Sequence, residues 1–242
     1  MASRTVGRVS AIAASATAAL LCMTSPTSHA TALVLTAVAD SIVLDGSDSI
    51  DPYPGILASE LGTGSAQDVW LSVLKFDLSS LVGMQIDSAA LELTSNFNHS
   101  EDSFSHQMYS SSDDSWTEQT VNGINRPADS TLTLLSATNI DGVSGPYRWD
   151  VLAGVAGAAG LGGAGTSLTL MVRPDLAQTG SVFGPHFYDR SHSSGVPRLL
   201  LNVSPVPEVS TSLLLALGLV GIGLWRETAQ RRHLASPARW TA

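Results

Sequence analysis

The stretch from residue 31 to 205 predicts an all-β fold: a two-sheet β-sandwich of jelly-roll type. It is expected to follow a secretory leader and to precede one membrane-crossing helix. Three observations carry this expectation. In the central stretch, short runs of alternating apolar and polar side chains recur between clusters of Gly, Pro, Ser, Asn and Asp, and none has the period of a long amphipathic helix. The chain opens with arginines, an apolar stretch and small residues. Near its other end a longer apolar run stops at a second group of arginines.

The N-terminal segment comes first. Arg4 and Arg8 give it a positive start, Val9 to Met23 an Ala-rich apolar stretch too short for a stable span, and Ser28-His29-Ala30 a small-x-small cleavage site. That order is a signal peptide over residues 1–30, with the mature chain beginning at Thr31. Cys22 is the sole cysteine, and Leu21 precedes it where lipidation requires a small residue. The mature protein therefore has no disulfide, no cysteine nucleophile and no Cys-ligated zinc, and its stability must come from a packed core.

Residues 31–205 suffice for one domain with a real core. Six basic residues (Lys75, Arg126, Arg148, Arg173, Arg190 and Arg198) stand against nineteen acidic ones there, a formal charge of −13. Nucleic acid and anionic membranes are poor partners for such a surface.

The strands follow in order. Ser41 to Leu44 is a brief one, ending at the turn dipeptide Asp45-Gly46. Asp45 to Ala66, with Pro52, Pro54 and several glycines, is expected to be a long polar loop. Trp70, Ser72, Leu74, Phe76 and Leu78 share one face of the next strand, and Leu71 and Val73 on its other face predict cover on both sides. Ala89, Leu91, Leu93 and Phe97 line a further strand, from which Glu92 and Thr94 point away. His99 to Ser115 is expected to be mostly loop around a short strand at Gln107 to Tyr109. Leu132 with Leu134, and then Tyr147, Trp149 and Val151, mark two more strands. The Ala/Gly-rich Val151 to Gly163 holds one short helix. Leu168, Leu170 and Val172 face inward until Pro174, and Leu199, Leu201 and Val203 do so after Pro197.

Catalytic and metal chemistry find little support. Asp113, Asp114 and Glu118 lie in one loop and do not set the separation across a glycosidic bond that two catalytic carboxylates need. No cofactor is expected. A calcium ion could be held by Asp45, Asp48 and Asp51, although their every-third spacing departs from the alternate spacing of a calcium loop. His99, His106, His186 and His192 have no metal-ligand spacing and are expected at the surface.

Beyond the body come Val206-Pro207-Glu208-Val209-Ser210, an apolar run to Trp225, and then Arg226, Arg231 and Arg232. Val209 to Trp225 gives about 17 residues without a formal charge, the lower limit for a helical span. The arginines hold its far side in the cytoplasm, so everything upstream is outside. This motif, helix and basic tail resemble a PEP-CTERM sorting signal over residues 206–232, leaving 233–242 as a cytoplasmic tail. Val209 stands where that family has a second Pro. The resemblance implies processing by an exosortase-type enzyme, after anchoring in the inner membrane and before display at the cell surface or in the matrix; an uncleaved anchor is the alternative.

The body carries a second resemblance. Leu74-Lys75-Phe76-Asp77-Leu78-Ser79-Ser80-Leu81, Ser115 to Val121 with Asn125-Arg126-Pro127, Arg148-Trp149-Asp150-Val151, Ser167 to Val172, and Phe187 to Ser191 ahead of Pro197-Arg198-Leu199 are similar, in that order, to segments of the DNRLRE domain family. Gly123-Ile124 departs from it, where a Trp is usual. The resemblance implies a β-sandwich classed with carbohydrate-binding modules, some of them for acidic polysaccharides. Lys or Arg would meet sugar carboxylates and aromatic rings would meet pyranose faces. Lys75, Arg126, Arg148 and Arg190, all placed off the core face by alternation, are the candidate contacts. Tyr188, with Tyr109 and Tyr147, could supply rings, whereas Trp116 and Trp149 are expected in the core. The expected function is non-catalytic binding of extracellular polysaccharide; a structural or adhesive surface protein is the alternative.

Overall fold

The computed structural model describes residues 29–62, 68–98, 103–160, 167–178 and 184–206, with Ile222 and Trp225 farther on. The leader as far as Ser28, His99, the sorting motif from Pro207 onward and the apolar span fall outside the described residues. Among the described residues, no helix is long and apolar enough to cross a membrane.

Among the described residues, twelve strands and one α-helix make up the body, besides two short 3-10 turns. They are β1 (Thr31–Thr36), β2 (Ala39–Leu44), β3 (Ile56–Ala58), β4 (Glu60–Leu61), β5 (Val69–Asp77), β6 (Met84–Asn98), β7 (Phe104–Ser111), β8 (Leu132–Ile140), β9 (Gly145–Asp150), α1 (Leu152–Gly160), β10 (Ser167–Pro174), β11 (Pro185–Tyr188) and β12 (Arg198–Pro205). All pairings are antiparallel. Sheet A runs β1-β12-β6-β11-β3 with β9 on the other side of β6, and sheet B runs β2-β5-β10-β7-β8 with β4 added to β5.

The two sheets face each other because each has an apolar inner face that the other covers. Leu74, Phe76, Leu168, Leu170 and Met108 from sheet B meet Leu91, Leu93, Trp149, Phe187 and Leu199 from sheet A in one core. Trp149, Phe76 and Phe187 are its largest fully buried side chains, each contributing about 1.5–3 kcal/mol by leaving water. Trp149 gives its indole N–H to the His106 carbonyl at 2.8 Å, so burial leaves no polar atom stranded. The helix α1 packs on β6 of one sheet and β10 of the other, with Val155 in the core. That burial overrides the poor helix propensity of Gly154 and Gly157.

Sheet B is also covered on its outer face. Val43, Leu71, Val73 and Met171 point outward and are sealed by Trp116 and Val121 from the segment between β7 and β8, as the alternation around Leu71 and Val73 predicts. Among the described residues, no such segment covers Arg148 and Arg198 on the outer face of sheet A, where their side chains are 63% and 46% exposed. Hydroxyls join the sheets at both open sides. Ser72 Oγ donates to the Ala58 carbonyl at 2.8 Å and accepts from the Ala58 amide at 2.9 Å. Ser136 and Thr138 on β8 donate to the carbonyls of Asp150 and Arg148 on β9, at 2.8 and 2.6 Å.

Several expectations need correction. Thr31–Thr36 is a strand; it lies at the sheet edge, where only Leu33 and Leu35 lean on the core, and so shows little apolar pattern. The expected loop of residues 45–66 contains β3 and β4, which are too short to display alternation. β7 extends over eight residues, because its backbone pairs on one side with β8 and on the other with β10. Phe97 does not line the core and is half exposed, because a bulge opposite His186 and Phe187 shifts the alternation of β6. His106 is no surface residue: it is fully buried, with Nδ1 2.8 Å from Ser59 Oγ. Tyr109 is buried too, under the Arg173 guanidinium at 4.4 Å.

Candidate functional site

The five candidate contacts scatter over three regions, and only two of them share a face. Lys75 lies on the covered side of sheet B. Its Nζ donates to the carbonyls of Asp114 and Trp116, both at 2.6 Å, and sits 4.7 Å from the Trp116 ring centre. It fastens the lid. Arg126 is a second fastener: its guanidinium bonds Asp45 and Asp129, each at 2.8 Å, tying the turn after β2 to the turn before β8. Burial alone would lower its affinity for the proton, but those two carboxylates raise it.

Arg190 closes an acidic corner. It donates to Glu118 Oε2 at 2.6 Å, and its amide donates to Asp40 Oδ2 at 2.8 Å. Glu118 also accepts from the Asp40 amide at 2.8 Å. The Arg190 guanidinium holds Glu118 below the usual carboxylate range, against the opposing effect of burial. Burial, with the charges of Asp189 and Glu118, pushes Asp40 up to about 7 despite that amide bond. Asp45 serves Arg126, and among the described residues no three His, Cys, Asp or Glu side chains converge as a metal ion would need.

Arg148 and Tyr188 lie on the open face of sheet A. There β12, β6 and β9 bring Arg198, Glu92 and Arg148 into one cross-strand row. Arg148 reaches Glu92 Oε2 with Nε at 2.8 Å and Nη2 at 2.7 Å, while an Arg198 Nη2 bonds Oε1. Glu92 itself is buried beneath them, its side chain only 2% exposed, whereas those of Arg148 and Arg198 are 63% and 46% exposed. Burial would raise the Glu92 carboxyl, but the two guanidiniums hold it below its ordinary range. The row thus carries one net positive charge on a strongly negative body. Guanidiniums have five N–H donors each, and Glu92 takes a minority of them. Tyr188 borders the same face. A side chain at Gly195 would meet its ring at 2.5 Å and Thr94 Cβ at 3.1 Å, and Thr94 is one step beyond Glu92 on this side of β6. The Tyr188 ring centre lies 4.1 Å from that of His192.

Arg198 was not among the predicted contacts, although the signal was present. Leu199 points inward, so its neighbour must point outward, opposite Glu92. Tyr147, in contrast, leans on the core and gives its hydroxyl to the carbonyl of Val143 at 2.6 Å. Trp116 and Trp149 are core residues, as expected.

A second concavity adjoins β3. Tyr53, Trp70, Ile42, Ile56, Glu60 and His186 line a cavity of about 230 Å3. The rings of Tyr53 and Trp70 are 5.3 Å apart and inclined at 50°. His186 Nε2 is 3.0 Å from Glu60 Oε1. None of these residues is a contact in the sequence reading, which places Tyr53, Ile56 and Glu60 in a loop, Ile42 and Trp70 in strands, and His186 among surface histidines.

Residues 31–181 match the family model described as carbohydrate-binding module family 96. No curated protein matches the chain.

Proposed function

Since this chain belongs to carbohydrate-binding module family 96, we propose that it is an exported, non-catalytic protein that holds an extracellular polysaccharide bearing carboxylates, on the open face of sheet A. One observation carries this reading. The two most exposed guanidiniums among the described residues, those of Arg148 and Arg198, stand side by side over a buried carboxylate that fixes their orientation. Planar donors held in place lose little entropy on binding, which suits them to a carboxylated polymer. Tyr188 extends the same face with a ring. Lys75, Arg126 and Arg190, by their bonding, serve the fold in this reading.

Export is the other half of the proposal. The leader pattern of residues 1–30 and the likeness of residues 206–232 to a PEP-CTERM signal support secretion, anchoring by the apolar run, processing by an exosortase-type enzyme, and residence at the cell surface or in the exopolysaccharide matrix. The DNRLRE-like motifs and the paired antiparallel sheets support the jelly-roll reading of the body.

Affinity electrophoresis against neutral and acidic polysaccharides tests the function. An acidic polymer should retard the protein, less so as salt screens the guanidiniums. Arg148→Ala and Arg198→Ala should each weaken retardation by about tenfold, the weight of one charge-assisted bond pair. If no glycan retards the protein, the binding reading fails and a structural surface role takes its place. Mass spectrometry of protein from the source cells tests export: the expected ends are Thr31 and a residue near Glu208.

A further inference from the structure

The cavity beside β3 has a chemistry unlike that of the arginine row. It lies where the edge of sheet A meets sheet B. Leu57 and Phe187 alternate into the core, so their neighbours Ile56 and His186 face the other way and form one wall, while Ile42 and Trp70 come from β2 and β5. Tyr53 is 54% exposed and stands at the mouth. It is delivered by a type II turn, Tyr53-Pro54-Gly55-Ile56. Proline fixes the second position, Gly55 takes φ +94° at the third, and the Ile56 amide bonds the Tyr53 carbonyl at 3.4 Å. The Ser72 clamp on Ala58 secures the wall from behind.

Two inclined aromatic rings offer a V of apolar surface. Glu60 and His186, paired with each other at 3.0 Å, give its side a polar edge, and Phe97 backs the imidazole at 6.1 Å. This suits a ring that is apolar on its C–H faces and carries hydroxyls at its rim. Among the described residues no Lys or Arg lines the cavity, and Glu60 disfavours an anionic guest. At about 230 Å3 it falls below the ~300–1,000 Å3 of pockets for drug-sized ligands, which limits it to one sugar residue. We propose that this cavity is a separate binding site for a single neutral pyranose, a chain end or a branch. It stands apart from the reading of the arginine row, and its ligand is uncharged where that of the row is anionic.

Ligand-observed and protein-observed NMR with methyl glycosides of neutral hexoses, and with methyl glucuronide, tests it on the folded protein. At least one neutral glycoside should bind with a millimolar dissociation constant and move the Trp70 indole N–H resonance, while methyl glucuronide should not. Tyr53→Ala and Trp70→Ala should each weaken binding by about three- to tenfold, the range of one aromatic contact. Tyr53 is in a surface turn, so its variant keeps the test valid should the Trp70 variant fold poorly. Arg148→Ala should leave neutral-glycoside binding unchanged while weakening retention by acidic polymer. The proposal is overturned if no neutral glycoside binds, if the glucuronide binds equally well, or if Tyr53→Ala binds as the wild type does.

Discussion

The ammonium group of Lys75 stands 4.7 Å from the centre of the Trp116 ring and donates to the carbonyl of the same residue at 2.6 Å. One side chain thereby holds both the ring and the backbone of the segment that covers sheet B. Lys75→Ala would leave the carbonyls of Asp114 and Trp116 without their donor and remove the cation from the ring. A loss of about 2–4 kcal/mol in unfolding free energy is expected, read by chemical denaturation, with retention by glycan unchanged in the protein that remains folded.

Gly123 has a similar role by omission. A Cβ there would overlap the Leu44 carbonyl oxygen and come within 2.8 Å of the Gly46 amide nitrogen. The close approach is what lets the Gly46 amide bond the Gly123 carbonyl at 3.2 Å. Backbone cannot yield as a flexible side chain can. Gly123→Ala should therefore cost about 2–4 kcal/mol, whereas Gly157→Ala, where a Cβ meets nothing within 4 Å, should be neutral or stabilising.

His106 makes stability depend on acid. Burial pushes its imidazole down to about 4, so between about 4 and 6.5 the unfolded chain binds a proton that the native state does not. Stability should rise with pH across that window, and an NMR titration of the His106 ring should give a midpoint near 4. Full protonation of the unfolded chain corresponds to a loss of roughly 3 kcal/mol.

Asp40 acts in the opposite sense. Its carboxyl, raised to about 7 first by burial, binds a proton in the native state that the unfolded chain releases above about 4. Stability through this group falls as pH rises from about 4 to 7. Asp40→Asn should remove that slope, so its stability relative to the wild type should increase between pH 4.5 and pH 8 in paired denaturation curves.

The sequence disclosed what periodicity can carry. The alternation of Trp70 to Leu78 announced β5 and even its cover on both faces, and Leu168 to Val172 announced β10. β3 and β4 escaped because two or three residues cannot show a period, and β1 because an edge strand buries only one thin row. The candidate site divided differently. Alternation placed Lys75 and Arg148 alike off the core face, but only tertiary structure distinguishes a face covered by residues 112–131 from one left open. Arg198 was legible from Leu199. Tyr53 was not, since nothing local relates a turn residue to Trp70, which follows it only after β3 and β4.

β12 runs from Arg198, in the arginine row, to Pro205, and lies between β1 and β6. A tug entering at Arg198 and leaving at Pro205 passes lengthwise along this strand, so the ladders on both flanks resist together, in shear. Thr31 and Val203 are register partners, so pulling Thr31 away from Pro205 would instead peel β1 off one rung at a time. The body should therefore resist a pull along β12, from its arginine-bearing face to its C-terminal strand end, better than one that separates Thr31 from Pro205.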